Sequence, residues 1–262
     1  MIETYVKILS NTCITPGIFL LRFSSPGLAA EAKPGQFIMV RVNDGIDPCL
    51  RRPFSISGTE EEGVVRVLYK VVGKGTEILS NKRAGDRLSV LGPLGKGFDI
   101  TDPGQHLFIV AGGIGIAPMF FLSQAVNKKA VTFLAGFRRS DEIMDPASVG
   151  IKQDISIATD DGSMGYHGRV TDLLEQEIIK QRDNAIAIYA CGPLPMLKAL
   201  SSISNKYRIP CKVSMETFMA CGLGACQGCV VRSASALDQI SYYHVCKDGP
   251  VFDINEIDWD NI

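Results

Sequence analysis

The stretch Cys221-Gly222-Leu223-Gly224-Ala225-Cys226-Gln227-Gly228-Cys229 constrains this chain more than any other. It spaces three cysteines as C-x4-C-x2-C, and Cys246 follows after sixteen further residues. Four thiols this close in sequence either pair as disulfides or converge on a metal centre. C-x4-C-x2-C with a distant fourth cysteine is a spacing that wraps a [2Fe–2S] cluster. Such a loop must curl tightly, and Gly222, Gly224 and Gly228 can take positive φ without steric cost. Their N–H groups can also approach sulfide acceptors. Structural zinc usually takes two C-x2-C pairs, and only one is present; zinc and a redox thiol pair remain as alternatives.

Disulfides fit the rest of the chain poorly. Its 262 residues suffice for two domains and an appendage. Met1-Ile2-Glu3-Thr4 lacks the basic start and apolar core of an export signal, so a reducing, cytoplasmic setting is expected. The longest apolar run, Leu107–Leu122, is broken by Gly112, Gly113, Gly115 and Pro118, and no membrane insertion is expected. A net charge of −1 gives a nucleic-acid partner no electrostatic support. Cys13, Cys49, Cys191 and Cys211 are scattered among apolar neighbours and are expected to be buried thiols.

Residues 1–100 read as an antiparallel β-barrel. Short runs rich in Val, Ile, Phe and Tyr recur at Glu3–Leu9, Ile18–Phe23, Gln36–Val42, Phe54–Gly58, Val64–Val71 and Arg87–Leu91, with turn residues between them. Within this unit, Arg51-Arg52-Pro53-Phe54-Ser55-Ile56 offers an arginine fork and a hydroxyl for phosphate on an extended strand; a solvated charge pair is the plainer reading. Leu68-Tyr69-Lys70-Val71-Val72 leads through Gly73-Lys74-Gly75-Thr76 into a helical stretch, Glu77–Lys82. That gives N–H groups and a helix start suited to an anion. Leu91-Gly92-Pro93-Leu94-Gly95 reads as a linker.

From His106 strands and helices alternate, which predicts a doubly wound parallel α/β sheet over residues 101–211. Strands are expected at Leu107–Ala111, Val131–Phe137, Ile155–Thr159 and Ala185–Ala190. Helices are expected up to Asn127, over Val170–Gln181 and over Leu194–Lys206, with an irregular piece at Ile143–Val149. Ligands bind such sheets beyond the strand carboxyl ends. Gly112-Gly113-Ile114-Gly115, Asp160-Asp161-Gly162-Ser163 and Cys191-Gly192-Pro193 all fall there, although a tight turn would explain any one alone. Residues 212–262 read as a small cluster domain: a strand at Lys212–Phe218, the cysteine loop, and a hairpin of Val230–Arg232 with Tyr242–Val245 that returns Cys246. The acidic tail around Ile254, Ile257 and Trp259 is expected at the surface or against a partner.

Arg52-Pro53-Phe54-Ser55 resembles the R-x-[YF]-[ST] flavin motif of the ferredoxin–NADP reductase superfamily. Gly112-Gly113-Ile114-Gly115-Ile116-Ala117-Pro118 resembles its G-G-x-G-x-x-P motif, and Cys191-Gly192-Pro193 its C-G-P motif. With the cluster segment included, the whole chain resembles the electron-transfer subunits of heteromeric, NAD-linked dihydroorotate dehydrogenases. The resemblance implies that Arg52, Pro53, Phe54 and Ser55 hold FAD, that Tyr69, Lys70 and Val71 line it, and that Gly75 and Thr76 bind its pyrophosphate. It implies that Gly112, Gly113, Gly115, Asp160, Cys191, Gly192 and Pro193 lie along NAD(H), and that Cys221, Cys226, Cys229 and Cys246 ligate [2Fe–2S]. No residue is implied as an acid or base. The loop closing on Cys246 is shorter than in plant ferredoxins, which implies a smaller cluster domain.

The implied activity is an oxidoreductase relay in pyrimidine biosynthesis: NAD(H), FAD, [2Fe–2S], then an FMN-containing dihydroorotate dehydrogenase catalytic subunit, in a heterotetramer of two of each. A same-fold subunit serving a hydrogenase, a sulfide dehydrogenase or a ferredoxin is the first rival. A zinc-stabilised nucleotide-binding module is the second. Phe137-Arg138-Arg139-Ser140 leaves NADH against NADPH open, with family likeness favouring NADH.

Overall fold

The computed structural model describes residues 2–100, 105–126, 131–150, 153–181, 184–234 and 241–262. The expected domain starts at residues 1 and 101 and the expected helix end at Asn127 lie outside them. The first sheet joins β1 (Ile2–Thr15), β2 (Ile18–Ser24), β3 (Phe37–Arg41), β4 (Arg52–Ser55), β5 (Gly58–Glu60), β6 (Val64–Lys70) and β7 (Arg87–Leu94), in the order β4-β3-β7-β1-β2-β6-β5. Its two edges are consecutive in sequence. Ile56 N–H donates to Gln36 O at one edge and Ser57 N–H to Arg66 O at the other, which closes the barrel. The run expected at Phe54–Gly58 is therefore two strands, because the chain changes partner at Ile56-Ser57. Leu21, Phe23, Ile38, Val40, Val65 and Val67 fill the interior.

Three further expectations in this unit are corrected. The first strand continues through polar Ser10–Thr12, because they stay paired with Leu20–Arg22 of β2, and Asn11 Nδ2 donates to Leu79 O and Lys82 O. The supposed linker at Leu91–Leu94 belongs to β7, where Gly92 pairs with Ile2 and Leu94 with Phe37. The helix after the glycine turn is α2 (Lys74–Ser80), starting earlier than expected, and a short α1 (Pro26–Glu31) precedes it unforeseen.

The second sheet contains β8 (His106–Gly112), β9 (Val131–Phe137), β10 (Ile155–Thr159), β11 (Tyr166–His167), β12 (Ile186–Cys191), β13 (Cys211–Ser214) and β16 (Val251–Asp253), in the order β11-β10-β9-β8-β12-β13-β16. All pairs are parallel except β13–β16. Strand order reverses between β8 and β12, so the crevice beyond Gly112 and Cys191 is the switch point at which such sheets bind ligands. Helices α3 (Ile116–Ala125), α4 (Val170–Lys180) and α5 (Leu194–Tyr207) cover the faces.

Helix α3 is apolar all round because it lies between the two sheets. Phe121 joins the barrel core, while Phe120 packs with Ile109 and Phe133 of the second sheet. Between the units, Arg66 Nη1 donates to Val149 O at 2.5 Å and Tyr189 Oη to Asp99 O at 2.5 Å.

Strand β13 ends at Ser214, short of the expected Phe218, because the chain turns there to line a cavity. Beyond the cysteine loop, β14 (Val230–Arg232) and β15 (Tyr242–His244) form the expected antiparallel hairpin. The tail does not wait for a partner: Ile254 and Ile257 are buried in the chain's own core and Trp259 Nε1 donates to Ile254 O. Cys191 and Cys211 are buried as expected, but Cys13 and Cys49 are exposed, Cys13 in the polar continuation of β1 and Cys49 in the loop before β4.

Candidate functional site

Two cavities meet where the barrel faces the second sheet. The first, of about 360 Å³, takes its barrel wall from Phe37, Arg52, Pro53, Phe54, Ser55, Leu68, Tyr69, Lys70, Val72 and Thr76. Strand β4 is a sheet edge, so Pro53 forfeits no ladder hydrogen bond there. The two arginines divide. Arg51 is structural: it donates to Ser89 O at 2.9 Å, Ser89 Oγ at 2.9 Å and Glu3 Oε1 at 2.5 Å. Arg52 faces the cavity, its Nη1 donating to Leu50 O.

A Cβ at Gly75 would sit 2.6 Å from Arg52 Nε, so glycine lets the guanidinium lie against the turn. The Thr76 hydroxyl closes that turn, accepting from Val72 N–H and Gly73 N–H and donating to Gly73 O. Tyr69 stacks on Phe19 and meets Phe54 edge-on. Burial pushes its hydroxyl up to about 12, and Asn11 Oδ1 accepts from it. Val71 and Gly75 do not line the cavity.

The second cavity, of about 510 Å³, occupies the switch point. Gly112, Gly113, Gly115, Gly192 and Pro193 form its floor and Asp160 one side, with Arg138 and Arg169 as cations. A Cβ at Gly115 would lie 2.6 Å from Cys191 O, so the two loops touch only because that residue is glycine. Cys191 is fully buried behind the floor, and burial, followed by the nearby Glu216 carboxylate, drives its thiol well above the ordinary range. Arg139 turns away to pair with Asp141 at 2.7 Å.

Lys70, Ile114 and Glu216 line both cavities. Sequence reasoning missed Met215 and Glu216, since it carried the preceding strand through them, and Met219, just past that strand's expected end; Ile114, inside the glycine motif, was legible. Glu216 is open to solvent through the two cavities yet ringed by protein, and desolvation raises its carboxyl.

The cysteine loop abuts the first cavity: Met219 lines it and Cys221 is two residues on. Positive φ falls at Gly222, Gly224 and Gln227; Gly228 does not need it. Leu223 N–H and Cys226 N–H donate to Cys221 Sγ at 3.3 and 3.4 Å, and Gly224 N–H to Cys246 Sγ at 3.0 Å. Burial alone would raise Cys221, but the backbone N–H groups of Leu223, Cys226 and Ala225, with the Cys226 side chain, bring its thiol down to about 6.

Among the described residues no three His, Cys, Asp or Glu side chains close round one point, as a single ion requires. Cys221 interacts with Cys226, and Cys246 with both Cys229 and Cys221. The four thiols thus form one connected set, and their C-x4-C-x2-C…C spacing is the donor set that a [2Fe–2S] cluster takes. Cys229 and Cys246 are buried and Cys226 is exposed, so one end of the site reaches the surface.

Residues 6–98 match the oxidoreductase FAD-binding domain family, 109–202 the oxidoreductase NAD-binding domain, and 216–258 the iron–sulfur cluster binding domain of dihydroorotate dehydrogenase B. The dihydroorotate dehydrogenase B (NAD(+)) electron transfer subunit of Desulforamulus reducens is 40% identical over 258 residues, covering 97% of each chain. The chain belongs to the family of dihydroorotate dehydrogenase B electron transfer subunits.

The subunit of the same name from Caldanaerobacter subterraneus is 39% identical, with 96% of each chain covered. A solved NADH-dependent reduced ferredoxin–NADP oxidoreductase, described for flavin-based electron bifurcation, superposes with a TM-score of 0.85 at 32% identity, over 97% of this chain and 90% of that one. Like other dihydroorotate dehydrogenase B electron transfer subunits, this chain therefore combines FAD-binding, NAD-binding and iron–sulfur units and is an oxidoreductase subunit. No helix among the described residues is long and apolar enough to cross a membrane.

Proposed function

We propose that this chain relays electrons between NAD(H) and an FMN-containing dihydroorotate dehydrogenase catalytic subunit, in a cytoplasmic heterotetramer of two of each. The working division is residues 1–100 for FAD, 101–211 for NAD(H) and 212–262 for the cluster. When bound, the flavin converts between the nicotinamide's hydride and single electrons, and the cluster carries those one at a time.

The chain's own residues supply position. Arg52 and Ser55 hold the flavin phosphates, with the backbone of Gly75 and Thr76 beside them; Pro53, Phe54, Tyr69 and Lys70 form the wall. Gly112, Gly113, Gly115, Asp160, Gly192 and Pro193 shape the nicotinamide site, and Cys191 supports it from behind. Cys221, Cys226, Cys229 and Cys246 ligate the cluster. Val71 acts from outside the cavity, its N–H bonded to Gly17 O.

One observation carries this reading: two cavities share a wall at Lys70, Ile114 and Glu216, and the one nearer the cysteines reaches Met219. Binding sites for a two-electron donor, a converter and a one-electron carrier thus stand in series. Exposed Phe218 and Leu223 flank Cys221 in sequence, and exposed Val230 and Tyr242 lie on the hairpin that follows the loop; they support a partner-facing exit. The experiment is reconstitution with the catalytic subunit. Dihydroorotate-dependent reduction of NAD⁺ should require both chains. Activity of the catalytic subunit alone with NAD⁺, or none from the pair, would overturn the reading.

A further inference from the structure

Gly222 sits where the cysteine loop meets the barrel. It is buried with φ +72°, and a Cβ there would lie 2.6 Å from Met39 Cγ, 3.1 Å from Met39 Sδ and 3.3 Å from Leu94 Cδ1. Two requirements thus fall on one position: left-handed backbone and no side chain. Met39 is fully buried on β3, paired with Pro53, and Phe37 on the same side of the strand pairs with Ser55. Phe37 and Met39 pack in one apolar cluster with Cys229, Cys246 and Met215, while Ile38 and Val40 point into the barrel. The outward face of β3 therefore carries a wall of the first cavity at Phe37 and the seat of the cysteine loop at Met39. They stand two positions apart on the strand, about 7 Å. On the other side the chain runs from Met219, at the cavity, to Cys221 in two steps.

We propose that Gly222 is a positioning residue for electron transfer: its missing side chain lets the cysteine loop seat on Met39 and so fixes the gap between the first cavity and the cysteine sulfurs. The proposal rests on the reading above that this cavity takes flavin and that the four thiols hold a [2Fe–2S] cluster. Each crossing moves one electron. One of the pair delivered by NADH is given up on the flavin side, and one iron(III) becomes iron(II) on the cluster side. No bond or proton changes at Gly222. A Cβ would lift the loop from Met39 without touching either nucleotide cavity, because Gly222 lines neither.

The test compares wild type, Gly222→Ala and Met39→Val, each in complex with the catalytic subunit and handled without oxygen. Flavin and cluster contents are read from visible absorption and electron paramagnetic resonance, and cluster reduction by NADH from stopped-flow absorbance. Loop seating is read from hydrogen exchange of the 221–229 amides. Gly222→Ala should keep flavin, cluster, NADH KM and dye-linked NADH oxidation. Its cluster reduction should slow on the order of tenfold, as displacements of an ångström or so commonly do to positioned reactions, and its loop amides should exchange faster. A retained cluster reduced at the wild-type rate overturns the proposal. Should Gly222→Ala shed its cluster, Met39→Val decides: slowed reduction there supports the proposal and the wild-type rate overturns it. A wild type with no cluster would instead overturn the functional reading beneath it.

Discussion

Cys191 Sγ stands 4.0 Å from Glu216 Oε1 at the seam between the two cavities. One group comes from the end of β12 and the other from just past β13, so two neighbouring strands bring a thiol and a carboxyl together where both nucleotides would meet. Desolvation raises the Glu216 carboxyl, and burial together with that carboxylate raises the thiol. Both shifts favour uncharged side chains at the seam.

The Glu216 shift has a signed consequence. A carboxyl with a raised folded pKa keeps a proton that the unfolded chain releases, so it costs stability as pH climbs above the ordinary value of 4.5. Glu216→Gln is neutral at every pH. Its thermal unfolding midpoint should gain on the wild type over the pH range above about 4.5. A constant difference across that range would mean the carboxyl is ionised throughout.

Cys226 is the exposed one of the four clustered cysteines. Cys226→Ala should abolish cluster absorption yet leave NADH oxidation by a dye that draws electrons from flavin within about twofold of wild type, since its loop does not shape the nicotinamide cavity. Loss of dye reduction with flavin still bound would reverse the order of the relay.

Much of this was legible from the chain. The cysteine spacing, the Gly112–Gly115 motif and the strand–helix alternation report covalent spacing and local periodicity, which sequence records directly. The Arg51/Arg52 division was not, because neighbouring residues of extended chain face opposite ways and only the β3–β4 ladder decides which side is the cavity. Glu216 was hidden for a related reason: a strand expected to continue ends at Ser214, and what turns it is packing against the barrel. The tail's apolar face looked free only because its partner, β13, lies forty residues earlier.

That division of the arginines is testable. Arg52→Ala should weaken FAD binding by about 2 kcal/mol, the loss of a charge-assisted phosphate bond, or roughly thirtyfold in dissociation constant. Arg51→Ala should leave FAD affinity intact but lower thermal stability, since Ser89 O loses a donor and Glu3 its cationic partner. The Ser89 hydroxyl and Arg51 hold the Glu3 carboxyl below its ordinary range. Equal flavin retention in both variants on gel filtration would return Arg52 to the solvated charge pair.

Gly115 offers the sharpest check on the switch point. A methyl group there would meet Cys191 O at 2.6 Å and Gly192 Cα at 2.8 Å, both backbone atoms that cannot swing aside. Gly115→Ala must therefore part the β8 and β12 loops, at a cost of about 1–3 kcal/mol typical of overpacking. The first cavity and the cysteine loop are built from other segments, so flavin and cluster contents should hold. Affinity for NADH should fall on the order of tenfold or more, measured by titrating the anaerobic protein and following flavin bleaching. Unchanged NADH affinity in a folded Gly115→Ala protein would move the nicotinamide site away from this crevice.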